Sequence, residues 1–210
     1  MKKLITICLV VLFAVNTYPV HATIMASSLG TGAPPSMLGL NTMTPFGADS
    51  QSEYASVTSV ASPLGGMVDF SIAMSHLKVG VGGSWGSWSH GYTGDVYYTN
   101  GVQSVTLTLP SNTAAFYFYA EPAALAIYTI TATTPNPMYP ISISQSVNGD
   151  GGACGYAFWA DGGDTISTIN VVCPSTAGFA VGEFGIAAIP EPATVCLLGL
   201  GALGLVKRKK

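Results

Sequence analysis

The chain has 210 residues, is 49% hydrophobic, and sets seven Lys and Arg against ten Asp and Glu. Six of the seven bases lie at the two ends, so residues 23–190 carry one base, Lys78, against nine acids, a net charge of about −8. Such a body cannot neutralise phosphates, which excludes nucleic acid as a partner. Its shortage of long charged side chains also disfavours helices.

Met1-Lys2-Lys3 precedes an apolar run over 4–15, and Val20 and Ala22 stand where a signal peptidase expects small residues. Residues 1–22 therefore read as a signal peptide cut after Ala22. The run is short for a helix that stays in the membrane. Export implies an oxidising compartment. Cys154 and Cys173, the two cysteines of the mature body, are expected to form a disulfide there.

Residues 23–65 are rich in Ser, Gly, Thr and Pro, with Pro34-Pro35, Pro45 and Pro63 breaking each run. They read as a flexible N-terminal arm with one edge strand over 54–60. The domain proper is expected over 66–189. Val68, Phe70, Ile72 and Met74 alternate with polar or small residues, the period of a half-buried strand. A second short strand is expected at 77–81, then a Gly/Trp/Ser loop over 82–94. Asp95 to Thr99 reads as a strand ending in the hairpin signal Asn100-Gly101.

Val105, Leu107 and Leu109 point one way from the strand that Pro110 ends. In 114–120, Phe116 and Phe118 oppose Tyr117 and Tyr119, so both faces are expected to be covered. Further strands are expected at 125–133, 141–147, 154–160, 165–172 and 179–187, separated by Gly, Pro, Asn and Asp turns. No helical period persists. The fold expected is all-β, an antiparallel β-sandwich of jelly-roll type, with an incomplete barrel as the alternative.

Trp85, Trp88, His90, Tyr92 and Asp95 make the densest chemical stretch. Aromatic faces with a few polar groups between them suit sugars, so these five residues are a candidate glycan face. The other reading is that the tryptophans plug the sandwich and His90 is structural. Asp95, Glu121 and Glu183 are the imaginable carboxylates of a glycoside hydrolase, but nothing in the sequence pairs them at the needed spacing. No Gly-x-Ser-x-Gly or His-Glu-x-x-His stretch occurs, and no enzyme is expected. Asp150, Asp161 and Asp164 lie on Gly/Asp turns that could offer oxygens to calcium, although their spacing fits no EF-hand.

The chain ends with Pro190-Glu191-Pro192, a Gly/Leu-rich apolar run over 195–206, and Lys207-Arg208-Lys209-Lys210. Twelve residues at ~1.5 Å each cover about 18 Å of a hydrocarbon core of roughly 30 Å, which suits a temporary stop better than a lasting anchor. This tail resembles the PEP-CTERM sorting signal. The resemblance implies export, transient retention at the inner membrane through a short transmembrane helix, and cutting near Pro190, Glu191 and Pro192 by an exosortase, a membrane cysteine protease. It also implies a final place at the cell surface, in the envelope or in extracellular polysaccharide. The stretches 85–101, 104–109, 116–119 and 179–187 resemble the uncharacterised β-rich body found with such tails. The function expected is a structural or exopolysaccharide-associated surface protein, with a dedicated carbohydrate-binding module as the alternative.

Overall fold

A computed structural model describes residues 23–80, 82–136, 139–161 and 163–189. Its strands are β1 (Ile24–Gly30), β2 (Met37–Leu38), β3 (Asn41–Thr42), β4 (Thr44–Pro45), β5 (Ser56–Ala61), β6 (Met67–Lys78) and β7 (Asp95–Tyr98). They continue with β8 (Ser104–Thr108), β9 (Thr113–Pro122), β10 (Ile127–Thr134), β11 (Ile141–Asn148), β12 (Cys154–Ala160), β13 (Thr168–Val172) and β14 (Phe179–Ala188).

Twelve of these strands form one antiparallel sheet in the order β1-β12-β9-β14-β7-β6-β8-β13-β10-β11, with β4 on β14 and β5 on β6. The all-β antiparallel expectation holds. The two layers expected of a sandwich, however, are joined. The joint is β6, a single strand of 12 residues where the sequence suggested two short ones. Its C-terminal part, Ser75 to Lys78, pairs with β7, while Asp69 and Phe70 pair with β8.

At the other margin β1 runs beside β11, and side chains do the closing. Ser28 Oγ donates to Gln145 Oε1 at 2.8 Å, and Gln145 Nε2 donates to the Gly155 carbonyl at 2.8 Å. The result is a nearly closed barrel. Its last eight strands pair in a nested way: β7 with β14, β8 with β13, β9 with β12, and β10 with β11.

Strand alternation decides what fills the interior. Val105, Leu107 and Leu109 are buried in the main core, as their spacing predicts, beside Val68, Phe70 and Met74. β9 is buried along its whole length. Phe116 and Phe118 enter the main core, and Tyr117 and Tyr119 enter a second cluster on the outer side. Two glycines make room for those tyrosines. A Cβ on Gly185 would lie 2.2 Å from the Tyr117 ring, and one on Gly155 would lie 2.6 Å from the Tyr119 ring. Each glycine is the register partner of the tyrosine that covers it.

Two expectations are corrected here, and a third falls outside the described residues. Cys154 and Cys173 are free thiols, both buried, and not a disulfide. They belong to β12 and to the residue after β13, six places apart in the sheet order, so they face each other only across a packed core. The N-terminal arm is not wholly irregular. Ile24 to Ser28 pair with Ala160 to Tyr156 on β12, and Leu38 and Met43 are buried. Finally, no helix among the described residues is long and apolar enough to cross a membrane. The expected tail helix over 195–206, like the signal peptide, lies outside the described residues.

Candidate functional site

The loop between β6 and β7 lies across the outer side of the barrel, over β7, β14 and β9. Its base is tied by backbone bonds. Trp85 N donates to the Lys78 carbonyl at 2.9 Å, and Val79 N donates to the Gly94 carbonyl at 3.0 Å. From there the tryptophans reach two carboxylates. Trp85 Nε1 donates to Glu121 Oε2 at 2.7 Å, and Ser87 Oγ donates to Glu121 Oε1 at 2.9 Å. Trp88 Nε1 donates to Glu183 Oε2 at 3.0 Å, and His90 Nε2 lies 2.6 Å from Glu183 Oε1.

Glu121 falls on the outer side because it keeps phase with Tyr117 and Tyr119 along β9. Glu183 gets there differently. Strict alternation from Phe179 and Val181, both in the core, would aim it inward. A bulge intervenes: Gly182 and Gly185 face Tyr119 and Tyr117, so three steps on β14 match two on β9. Glu183 takes a left-handed φ of 50° at that point, and the bulge re-aims its side chain toward the loop.

Both carboxyls are held above the usual carboxylate range, first because burial strips them of water. The Trp85 and Ser87 bonds on Glu121, and the His90 and Trp88 bonds on Glu183, pull partly the other way. Tyr117, buried beneath the loop and close to Glu183, is pushed up to about 12.

The five candidate glycan residues divide. Trp85, Trp88 and Tyr92 are half-buried, and they pack against Leu77, Val79, Val96 and Ala180. The His90 side chain is only 15% exposed, and its Nδ1 lies 3.3 Å from the Thr31 carbonyl. Asp95 takes the other side of its strand, in phase with Tyr97. His76 Nε2 lies 2.8 Å from Asp95 Oδ1, and the Asp49 backbone N donates to Asp95 Oδ2 at 2.7 Å. Tyr97 closes the circuit by donating to Asp49 Oδ2 at 2.9 Å. A cavity of about 240 Å³ beneath Pro45, Phe46 and Gly47 is lined by Tyr92, Asp95 and Glu183.

Glu121 and Glu183 were named in the sequence as isolated acids. Their partners were named too, in the loop, but the pairing spans 36 and 95 residues and no local signal carries it. Gly182 and Gly185 flanking a strand glutamate were the available hint of a bulge.

Of the three aspartates considered for calcium, Asp150 stands apart from the other two. Asp150 precedes β12 and Asp161 follows it, so a seven-residue strand of roughly 20 Å, at ~3.3 Å per residue, lies between them. Asp161 and Asp164 instead line a shallow depression with Leu40 and Asn41. Among the described residues no group of three His, Cys, Asp or Glu is placed to hold a metal ion.

β14 ends at Ala188. Residues 188–210 match the PEP-CTERM protein-sorting motif. The sorting segment thus begins where the last strand stops, and it contains Pro190, Glu191 and Pro192. No curated protein matches the chain. The PEP-CTERM motif marks an exported, envelope- or surface-associated protein, and the body it carries is an antiparallel β-barrel.

Proposed function

We propose that this chain is a non-enzymatic surface or extracellular-matrix protein. An exosortase cuts it near Pro190 to Pro192 after its apolar tail has held it briefly at the inner membrane, and it then associates with exopolysaccharide. The observation that carries the proposal is the sorting motif abutting the last strand of the barrel. The nested strand pairing supports reading the barrel as a jelly roll, a fold that presents broad sheet faces.

The loop geometry favours a structural role over the dedicated carbohydrate-binding module. Two indole N–H groups and an imidazole, the donors a sugar hydroxyl would need, already serve Glu121 and Glu183. The test is the intact mass of the native protein in separated cell fractions, which reads both cuts and the destination.

A further inference from the structure

The sheet face opposite the loop has a different chemistry. β8, β13, β10 and β11 lie side by side, and their outward residues align in rows. In one row Thr106 stands opposite Asn170, Asn170 opposite Thr133, and Thr133 opposite Ser142. In the next, Thr131 stands opposite Ser144. The hydroxyls are already oriented: Thr131 Oγ1 and Ser144 Oγ lie 2.8 Å apart, as do Thr133 Oγ1 and Ser142 Oγ, and Ser104 Oγ donates to Asn170 Oδ1 at 3.0 Å. Neighbouring rows are about 6.6 Å apart along the strands and neighbouring strands about 4.8 Å apart, which makes a regular grid. Of the nine acids and one lysine of the body, only Asp69 reaches this face, at its margin beside Thr108.

We infer that this hydroxyl face docks a neutral polysaccharide of the extracellular matrix. The inference rests on the exopolysaccharide reading above and locates it. A hydroxyl within a Thr–Ser pair still has lone pairs, and each pair keeps one O–H to donate. Together they offer both donors and acceptors, as a sugar chain does. A polyanion would find no opposite charge here, and a polycation would find only Asp69 at the margin. A protein partner would want an apolar centre, whereas the apolar side chains exposed here, Ile127 and Val172, stand apart among polar neighbours. Each hydrogen bond is weak, and a polymer lying across several rows sums them.

The test uses the protein secreted by the producing cells. The probes are that organism's own matrix polysaccharide, separated by anion exchange into neutral and acidic fractions. The secreted protein is expected to co-sediment with the neutral fraction. The quadruple variant Thr131→Val, Thr133→Val, Ser142→Ala and Ser144→Ala, which keeps shape and strand preference, is expected to lose at least 10-fold in binding. Thr131→Glu alone, a change on an open face that folding tolerates, is expected to lose about 5-fold.

Undiminished binding by both variants overturns the assignment of this face and leaves the exopolysaccharide reading standing. Failure of the unaltered protein to bind either fraction overturns both. Preference for the acidic fraction overturns the neutral-polymer inference. So does a dimer of the unaltered protein that the variants dissociate, which would make the face a contact between copies.

Discussion

The two outer faces of this barrel handle polarity in opposite ways. On the β9–β14 face, two glutamates stand among tyrosines, and an aromatic loop folds over them and supplies their hydrogen bonds. On the β8–β13–β10–β11 face, Thr, Ser and Asn satisfy part of their own bonding in cross-strand pairs, and no loop among the described residues covers them. A charge on a sheet face needs partners once anything packs against it. Hydroxyls need no such shelter and can stay open to water. The side with aromatics and acids, which looks like a binding site in the sequence, is the closed one. The plain Thr/Ser strands make the open one.

Substitutions on the two faces should therefore differ sharply. The largest effect is expected from Glu121→Ala, which leaves Trp85 Nε1 and Ser87 Oγ without their acceptor beneath the loop. A loss of about 3 kcal/mol in denaturant unfolding is expected, against less than about 1 kcal/mol for Thr131→Val on the open face. Equal losses on the two faces would break the contrast.

Glu183 sharpens it, because its bonds and its backbone can be separated. Glu183→Ala removes the acceptor for Trp88 and His90 while keeping a side chain at φ 50°, and a loss of about 2 kcal/mol is expected. Glu183→Gly also removes the acceptor but suits the left-handed backbone, and should recover roughly 1 kcal/mol of that loss. If the two variants unfold alike, the bulge stores no strain.

The smallest effect is in pH. Glu121 and Glu183 have folded-state pKa values raised by burial. Their contribution to stability is complete below the ordinary carboxylate range, and it is lost as pH rises through the raised values. The urea midpoint should carry a component that falls as pH rises above the ordinary carboxylate range, and Glu121→Gln and Glu183→Gln together should flatten it. A component of opposite sign would mean that the loop's hydrogen bonds outweigh desolvation.

Much of the fold was legible because alternation is local. Val105, Leu107 and Leu109, and the doubly covered Phe/Tyr strand of β9, take the faces their spacing assigned. What was not legible depends on distant partners. Met25 to Ser28 are small or unpatterned, and they become a strand only because β12, some 130 residues later, offers them an edge. Cysteine count and compartment suggested a disulfide, but strand order put the two thiols on separate walls. The loop residues were found, and so were the glutamates. Their union needed the sheet that sets β9 beside β14 and the bulge that turns Glu183 outward. The hydroxyl face was visible only as separate alternating strands, because a row across four strands exists only once register is known.

The most direct test of the central claim, that this barrel is delivered to the surface by its sorting tail, is the intact mass of the native protein in inner-membrane, envelope and medium fractions. The account predicts a species beginning at Thr23 and ending near Pro190 to Pro192 in the envelope or medium. Any extra mass at its new C-terminus would identify what it is joined to. A species that keeps residues 195–210 and stays in the inner membrane would contradict the account.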